Sequence, residues 1–241
     1  MSRCTQKKLA LSFALCGALS SLAGAHGLWI AQVNGDMTFS YGHSGTNTDA
    51  YTPDKIVQAF GFKVDGSKVD VATKKYDNYV TANIEGVAIV AGVMDNGYWA
   101  QDKNGKWVNQ RGDQVDGAES SAKSAKYTVA YLNERAKVQP VGLKLEIVPA
   151  VNPTTLKEGD ELKVQVLYQG KPLEGAEVSN NYFNEHAKTV KTDKDGNATV
   201  TVAEHAFNIV AVGHKAKSDD RFEGRSYHAT LTFEAKHDHH H

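Results

Sequence analysis

Gly27-Leu28-Trp29-Ile30-Ala31-Gln32-Val33, then Asn34-Gly35, then Asp36-Met37-Thr38-Phe39-Ser40-Tyr41 read as two antiparallel strands around a two-residue turn. Asn and Gly tolerate the positive φ that a tight hairpin turn requires, and the flanks carry the period-2 patterning of strands. The same pattern recurs outward along the chain. Strands are expected at 56–64, 67–74, 83–94 and 98–102, and Asn104-Gly105 then turns the chain into 107–109. Residues 110–126, rich in Ser, Ala, Gly and Asp, read as an exposed loop, and 127–137 fits strand or helix.

Pro149 and Pro153 interrupt both ladder and helix, so a domain boundary is expected there. Beyond it Glu161–Tyr168 sets Leu162, Val164, Val166 and Tyr168 on one face, and Gln169-Gly170 turns. Further strands are expected at 178–183, 187–192, 198–203, 207–213 and 227–234. Short strands at this spacing predict an all-β protein of two β-sandwich-like domains, at 26–151 and 152–236, with Greek-key-like connections.

Of 241 residues, 27 are basic and 28 acidic, a formal charge of −1. That balance excludes a broadly basic nucleic-acid binder. The first 25 residues read as an export signal. Arg3, Lys7 and Lys8 precede an apolar stretch from Leu9 to Leu22, and Ala23-Gly24-Ala25 supplies small residues for cleavage. The apolar run is shorter than the ~20 residues that span a bilayer. Cleavage after Ala25 would remove three basic residues and no acidic one, leaving 24 against 28 and a charge of −4. It would also remove Cys4 and Cys16, the only cysteines. A periplasmic product without disulfides or thiolate metal sites, and with no membrane insertion after processing, is expected.

No nucleophile motif such as Gly-x-Ser-x-Gly is present, so histidine is the informative residue type. Cleavage would make His26 the first residue. An amino-terminal histidine offers two donors, its amine and ring Nδ1, which close a six-membered chelate suited to Ni, Co, Cu or Zn. His43, between Gly42 and Gly45, reads on its own as a surface-turn histidine. The hairpin nevertheless brings the chain back beside His26. His214 follows the strand expected at 207–213, whereas His205 stands at its entry, ~30 Å of extended chain away. His186 and His228 read as plain strand or loop residues. His237, His239, His240 and His241 form an accessory cation-binding tract by composition. It is a natural tail or a trimmed purification tag, and the interrupting Asp238 favours the first.

Ala25-His26-Gly27-Leu28-Trp29-Ile30 resembles the mature start of a periplasmic family associated with nickel and cobalt uptake, the NikK-like proteins. Phe39-Ser40-Tyr41-Gly42-His43 resembles its glycine-histidine turn. Gly97-Tyr98-Trp99, Asn104-Gly105-Lys106-Trp107 and Leu145-Glu146-Ile147-Val148-Pro149 resemble its middle. Glu158-Gly159-Asp160 and the run from Gly170 to Val178 resemble the start of its second domain. Thr192-Asp193-Lys194-Asp195-Gly196 resembles a turn of carboxypeptidase-regulatory-like and immunoglobulin-like modules, which implies an immunoglobulin-like C-terminal sandwich. The resemblance implies a metal site at His26 and His43. It makes His214 the third candidate ligand, because the family often carries a histidine after that strand.

The function expected is capture of Ni²⁺ or Co²⁺ for a membrane importer, by a binding protein rather than an enzyme. Cu²⁺ and Zn²⁺ are the other ions this donor set accommodates. Two alternatives stand beside it. One is a copper oxidase with a histidine brace at His26 and His43. The other is an adhesion or structural β-module without metal, since a sandwich fold alone does not settle function.

Overall fold

A computed structural model describes residues 26–43 and 48–237. The expected leader at 1–25, with both cysteines, lies outside the described residues, as do His239, His240 and His241. The fold is all-β. Among the described residues the only helical segments are single 3-10 turns at Pro53–Lys55, Gly112–Gln114 and Pro153–Thr155.

The strands, numbered in chain order, form three sheets. The largest runs β14 (Thr189–Lys191), β13 (Glu177–Ser179), β16 (Phe207–Ala216), β17 (Gly224–Glu234), β9 (Ser121–Tyr131), β7 (Ile89–Gln101), β3 (Ile56–Phe62) and β4 (Lys68–Asp70), with β8 (Trp107–Val108) beside β7. A second sheet runs β1 (Gly27–Val33), β2 (Asp36–Gly42), β6 (Val80–Ala82) and β5 (Thr73–Lys75). The third has β10 (Leu145–Pro149), β11 (Glu161–Tyr168) and β12 (Lys171–Pro172), with β15 (Asn197–Thr201) on the other side of β11. The large sheet is the middle layer of a sandwich, with the other two sheets on its opposite faces.

Three expectations change. The boundary placed between 151 and 152 falls in the connection from β10 to β11 and does not divide the sheet. β17 pairs in parallel with β9, from Gly224 opposite Ala122 to Phe233 opposite Tyr131. One core accordingly holds Phe60, Ile89 and Val129 together with Leu162, Val166 and Leu231. The two prolines do interrupt the chain locally, but a pairing that joins residues about a hundred positions apart leaves no local trace. Residues 83–94 and 98–102 contribute to one long strand, β7, whose register shifts between Asp95 and Gly97. The stretch expected as loop up to 126 instead becomes β9 from Ser121 onward.

β9 and β17 are covered on both sides, and their alternation separates two chemistries. Tyr127, Val129, Tyr131, Ala229, Leu231 and Phe233 join the core shared with β10 and β11. Lys126, Thr128, His228, Thr230 and Thr232 take the other face, toward β1. β1 is the end strand of its sheet, so its outer edge would bury unpaired carbonyls. Threonines of β17 satisfy them: Thr230 Oγ1 donates to the Leu28 carbonyl at 2.6 Å and Thr232 Oγ1 to that of Ile30 at 3.4 Å. The Thr128 and Thr230 hydroxyls lie 2.9 Å apart.

Candidate metal centre

The hairpin forms as expected. Asn34 and Gly35 have φ of 51° and 91°, the paired positive values of a tight turn with strand-matching twist. Its seven cross-strand pairs end with Gly27 opposite Gly42. One step further out, His26 and His43 meet, their ring centroids 3.6 Å apart and the planes inclined at 51°. The His26 ring also stacks on Tyr41 at 4.9 Å. The Tyr41 hydroxyl accepts a bond from Asn96 Nδ2 at 3.1 Å, and Asn96 Oδ1 accepts from Lys55 at 2.9 Å, which tie the hairpin end to β7.

Asp49 fixes the protonation of His26. His26 Nε2 lies 2.8 Å from Asp49 Oδ2. An ionised carboxylate only accepts, so Nε2 carries the proton and Nδ1 keeps its lone pair. Nδ1 is the nitrogen placed to chelate with the residue's own main-chain nitrogen. A carboxylate on the far side of a ligating imidazole is a common device for orienting the ring and raising its basicity. Burial, then the neighbouring His43, with a smaller contribution from Lys126, outweigh Asp49 and hold His26 below its ordinary pKa of 6.5. The neutral ring, the form that coordinates cations, is therefore favoured.

Beneath the hairpin end lies a buried polar patch. The Tyr182 hydroxyl donates to the Gly42 carbonyl at 2.7 Å. Gly27 has room for no side chain, because a Cβ there would stand 2.9 Å from His228 Cε1 and from Tyr182 Cζ. His228 is 2% exposed, and burial, then Lys126, hold its pKa down at about 3. Lys126, its partner across the β17–β9 register, is 3% exposed, and burial lowers its pKa to about 8. Sequence patterning assigns His228 no special role and reads Lys126 as part of a loop. Asp49 was not singled out. The one local signal is for His228, a histidine inside the alternating strand expected at 227–234.

His214 is not brought to His26. The β16–β17 register sets Gly213 opposite His228 and His214 opposite Tyr227, so His214 and His228 project from opposite faces. The His214 ring packs 4.5 Å from Tyr168 and stacks on Tyr227 at 6.3 Å, on the side of β11. Its strand also runs on to Ala216 rather than ending at 213. His214, His26 and His43 share only the walls of one open cavity of about 1760 Å³, along with Lys126 and Trp99. His237 lies against His205, ring centroids 6.3 Å apart.

Among the described residues, no three His, Cys, Asp or Glu side chains form a ready cage for an ion. Asp49 is engaged with the back of the His26 ring, and two imidazoles remain at the hairpin end. Main-chain nitrogen 26 is the donor that would enlarge the set. A family model described as a domain of unknown function, DUF4198, matches residues 23–216. No curated protein and no solved structure matches the chain.

Proposed function

The chain belongs to this family of unknown function, and we propose that it is a NikK-like periplasmic carrier that captures Ni²⁺ or Co²⁺ for a membrane importer. The contact between His26 and His43, with Asp49 on His26 Nε2, carries this reading. Cleavage after Ala25 turns the amide nitrogen of His26 into an amine. Amine and Nδ1 then chelate one ion in a six-membered ring, and His43 adds a second imidazole. Nitrogen donors suit borderline-soft divalent ions, and a mature chain without cysteine avoids the thiolate ligation that favours Cu(I).

A carrier must also let go. The ammonium of Lys126, close enough to depress the His26 pKa, opposes a further positive charge and keeps the hold on a divalent ion reversible. His43 is exposed, and the cavity beside it is open for transfer. Among the described residues no helix is long and apolar enough to cross a membrane, in keeping with a carrier released from its leader.

The test is calorimetric titration of Ni²⁺ and Co²⁺ into protein exported by its own leader, its start at His26 first verified by intact mass. One residue added before His26 converts the amine to an amide while sparing every side chain. It should weaken binding by at least on the order of tenfold, as should His43→Ala. Parent-like affinity in both variants, or a mature chain that starts elsewhere, refutes this assignment.

A further inference from the structure

We infer that His228 is the inner imidazole ligand of the divalent-cation site at the hairpin end, completing a donor set with His26 and His43. The inference rests on the metal-carrier reading and extends it to a residue outside the 23–216 family match.

Register is the first support. Along the outer edge of β1, Thr232 contacts the Ile30 carbonyl and Thr230 the Leu28 carbonyl, a constant offset of 202 residues. The next step of the same ladder puts His228 under the main chain of His26. The close approach of His228 Cε1 to the Cβ direction of Gly27 agrees with that placement. Alternate residues of an antiparallel strand present N–H and C=O to the same edge. With the carbonyls of Leu28 and Ile30 turned toward β17, the main-chain nitrogen of His26 turns that way as well. After cleavage this nitrogen is the chelating amine, so the ion it holds lies over His228.

The second support is an unmet bonding capacity. Thr230 and Thr232 each satisfy a carbonyl, but buried His228 Nδ1 has no hydrogen-bond partner among the described residues. Its ring only tilts against Tyr182, with centroids 5.2 Å apart. An apolar side chain would pack there without the desolvation cost of an orphaned nitrogen. Such a group calls for a partner that arrives later. A cation is the suitable partner. Nδ1 is engaged by no other group among the described residues and so is free to turn a lone pair to an ion. His228 thus provides a buried donor below the exposed His43, and because the side chains form no ready cage, the His26 and His43 rings turn to close the set around an ion.

The experiment counts imidazoles. X-ray absorption of the Ni²⁺- and Co²⁺-loaded exported protein resolves imidazole outer-shell scattering. Three imidazoles are expected in the parent and two in His228→Gln, whose nickel affinity should fall at least about tenfold. The parent spectrum needs no variant, so poor folding of His228→Gln cannot hide the answer. Two imidazoles in the parent, lost one at a time by His26→Ala and His43→Ala, would overturn the inference and leave the carrier reading intact. Absence of any Ni²⁺ or Co²⁺ binding would overturn both. An unchanged spectrum and affinity in folded His228→Gln would overturn the inference alone.

Discussion

The two faces of the central sheet come from the same strands and do different work. Toward β10 and β11, β9 and β17 present Tyr127, Val129, Ala229, Leu231 and Phe233, a continuous apolar surface. Toward β1, the intervening positions are Lys126, Thr128, His228, Thr230 and Thr232, all buried and polar, with Ala130 the one apolar exception. The first face stabilises by removing apolar area from water. The second can be polar because an edge strand stands on it and brings unpaired backbone groups to bond. Where those backbone groups run out, at His26, the polar patch continues with His228 and Lys126, and His228 Nδ1 has no hydrogen-bond partner among the described residues. Within β9 and β17, one face supplies apolar packing and the other the buried polar groups on which the proposed ligand chemistry rests.

The largest expected effect lies on the polar face and depends on pH. His228 ordinarily titrates at 6.5 but is held at about 3 in the fold. Between those values the unfolded chain binds a proton that the folded chain does not, so stability falls as pH falls through that window. The full difference approaches ~5 kcal/mol if burial is maintained throughout. Urea unfolding at a series of pH values should show this loss in the parent and a much smaller one in His228→Gln. Equal slopes in both would mean that His228 is not the buried neutral group described above. On the apolar face, Leu231→Ala should cost about 3 kcal/mol through lost burial and a residual cavity, independently of pH. Leu231 is fully buried. Nickel affinity of the folded variant should be unchanged. A loss of affinity comparable to the loss of stability would show that the two faces are not separable.

How much of this was legible depends on the range of the interactions. The Asn34-Gly35 hairpin and the strand Glu161–Tyr168 were readable because turn chemistry and period-2 alternation are local. The meeting of His26 and His43 followed from the same hairpin, since a two-residue turn fixes the register of every pair beyond it. β9 was missed at its start because Ser121, Ser124 and Lys126 look like loop residues, although each is buried between layers. The union of both halves was invisible because parallel pairing of β9 with β17 has no signal in either segment. His228 was passed over for the same reason. Only that pairing and the docking of β1 place it under His26. Asp49 comes to the site from beyond the hairpin, through a segment with no period of its own.

His214 provides the smallest effect and the sharpest control. It stands one register step from the pair Gly213–His228, on a neighbouring strand, and that single step turns it to the other side of the sheet. If face decides role, His214→Ala should leave nickel affinity within about twofold of the parent, far less than the tenfold scale of a ligand or its orienting partner. Its stability effect should be modest, at most about 1 kcal/mol, because the ring is half-buried and its losses are contacts with Tyr168 and Tyr227. Calorimetry of the folded variant beside His228→Gln compares two histidines of the paired strands β16 and β17 that lie on opposite faces. A tenfold loss in His214→Ala would mean that the ion draws donors from around the sheet's edge, and the division between a stabilising face and a ligand-binding face would fail.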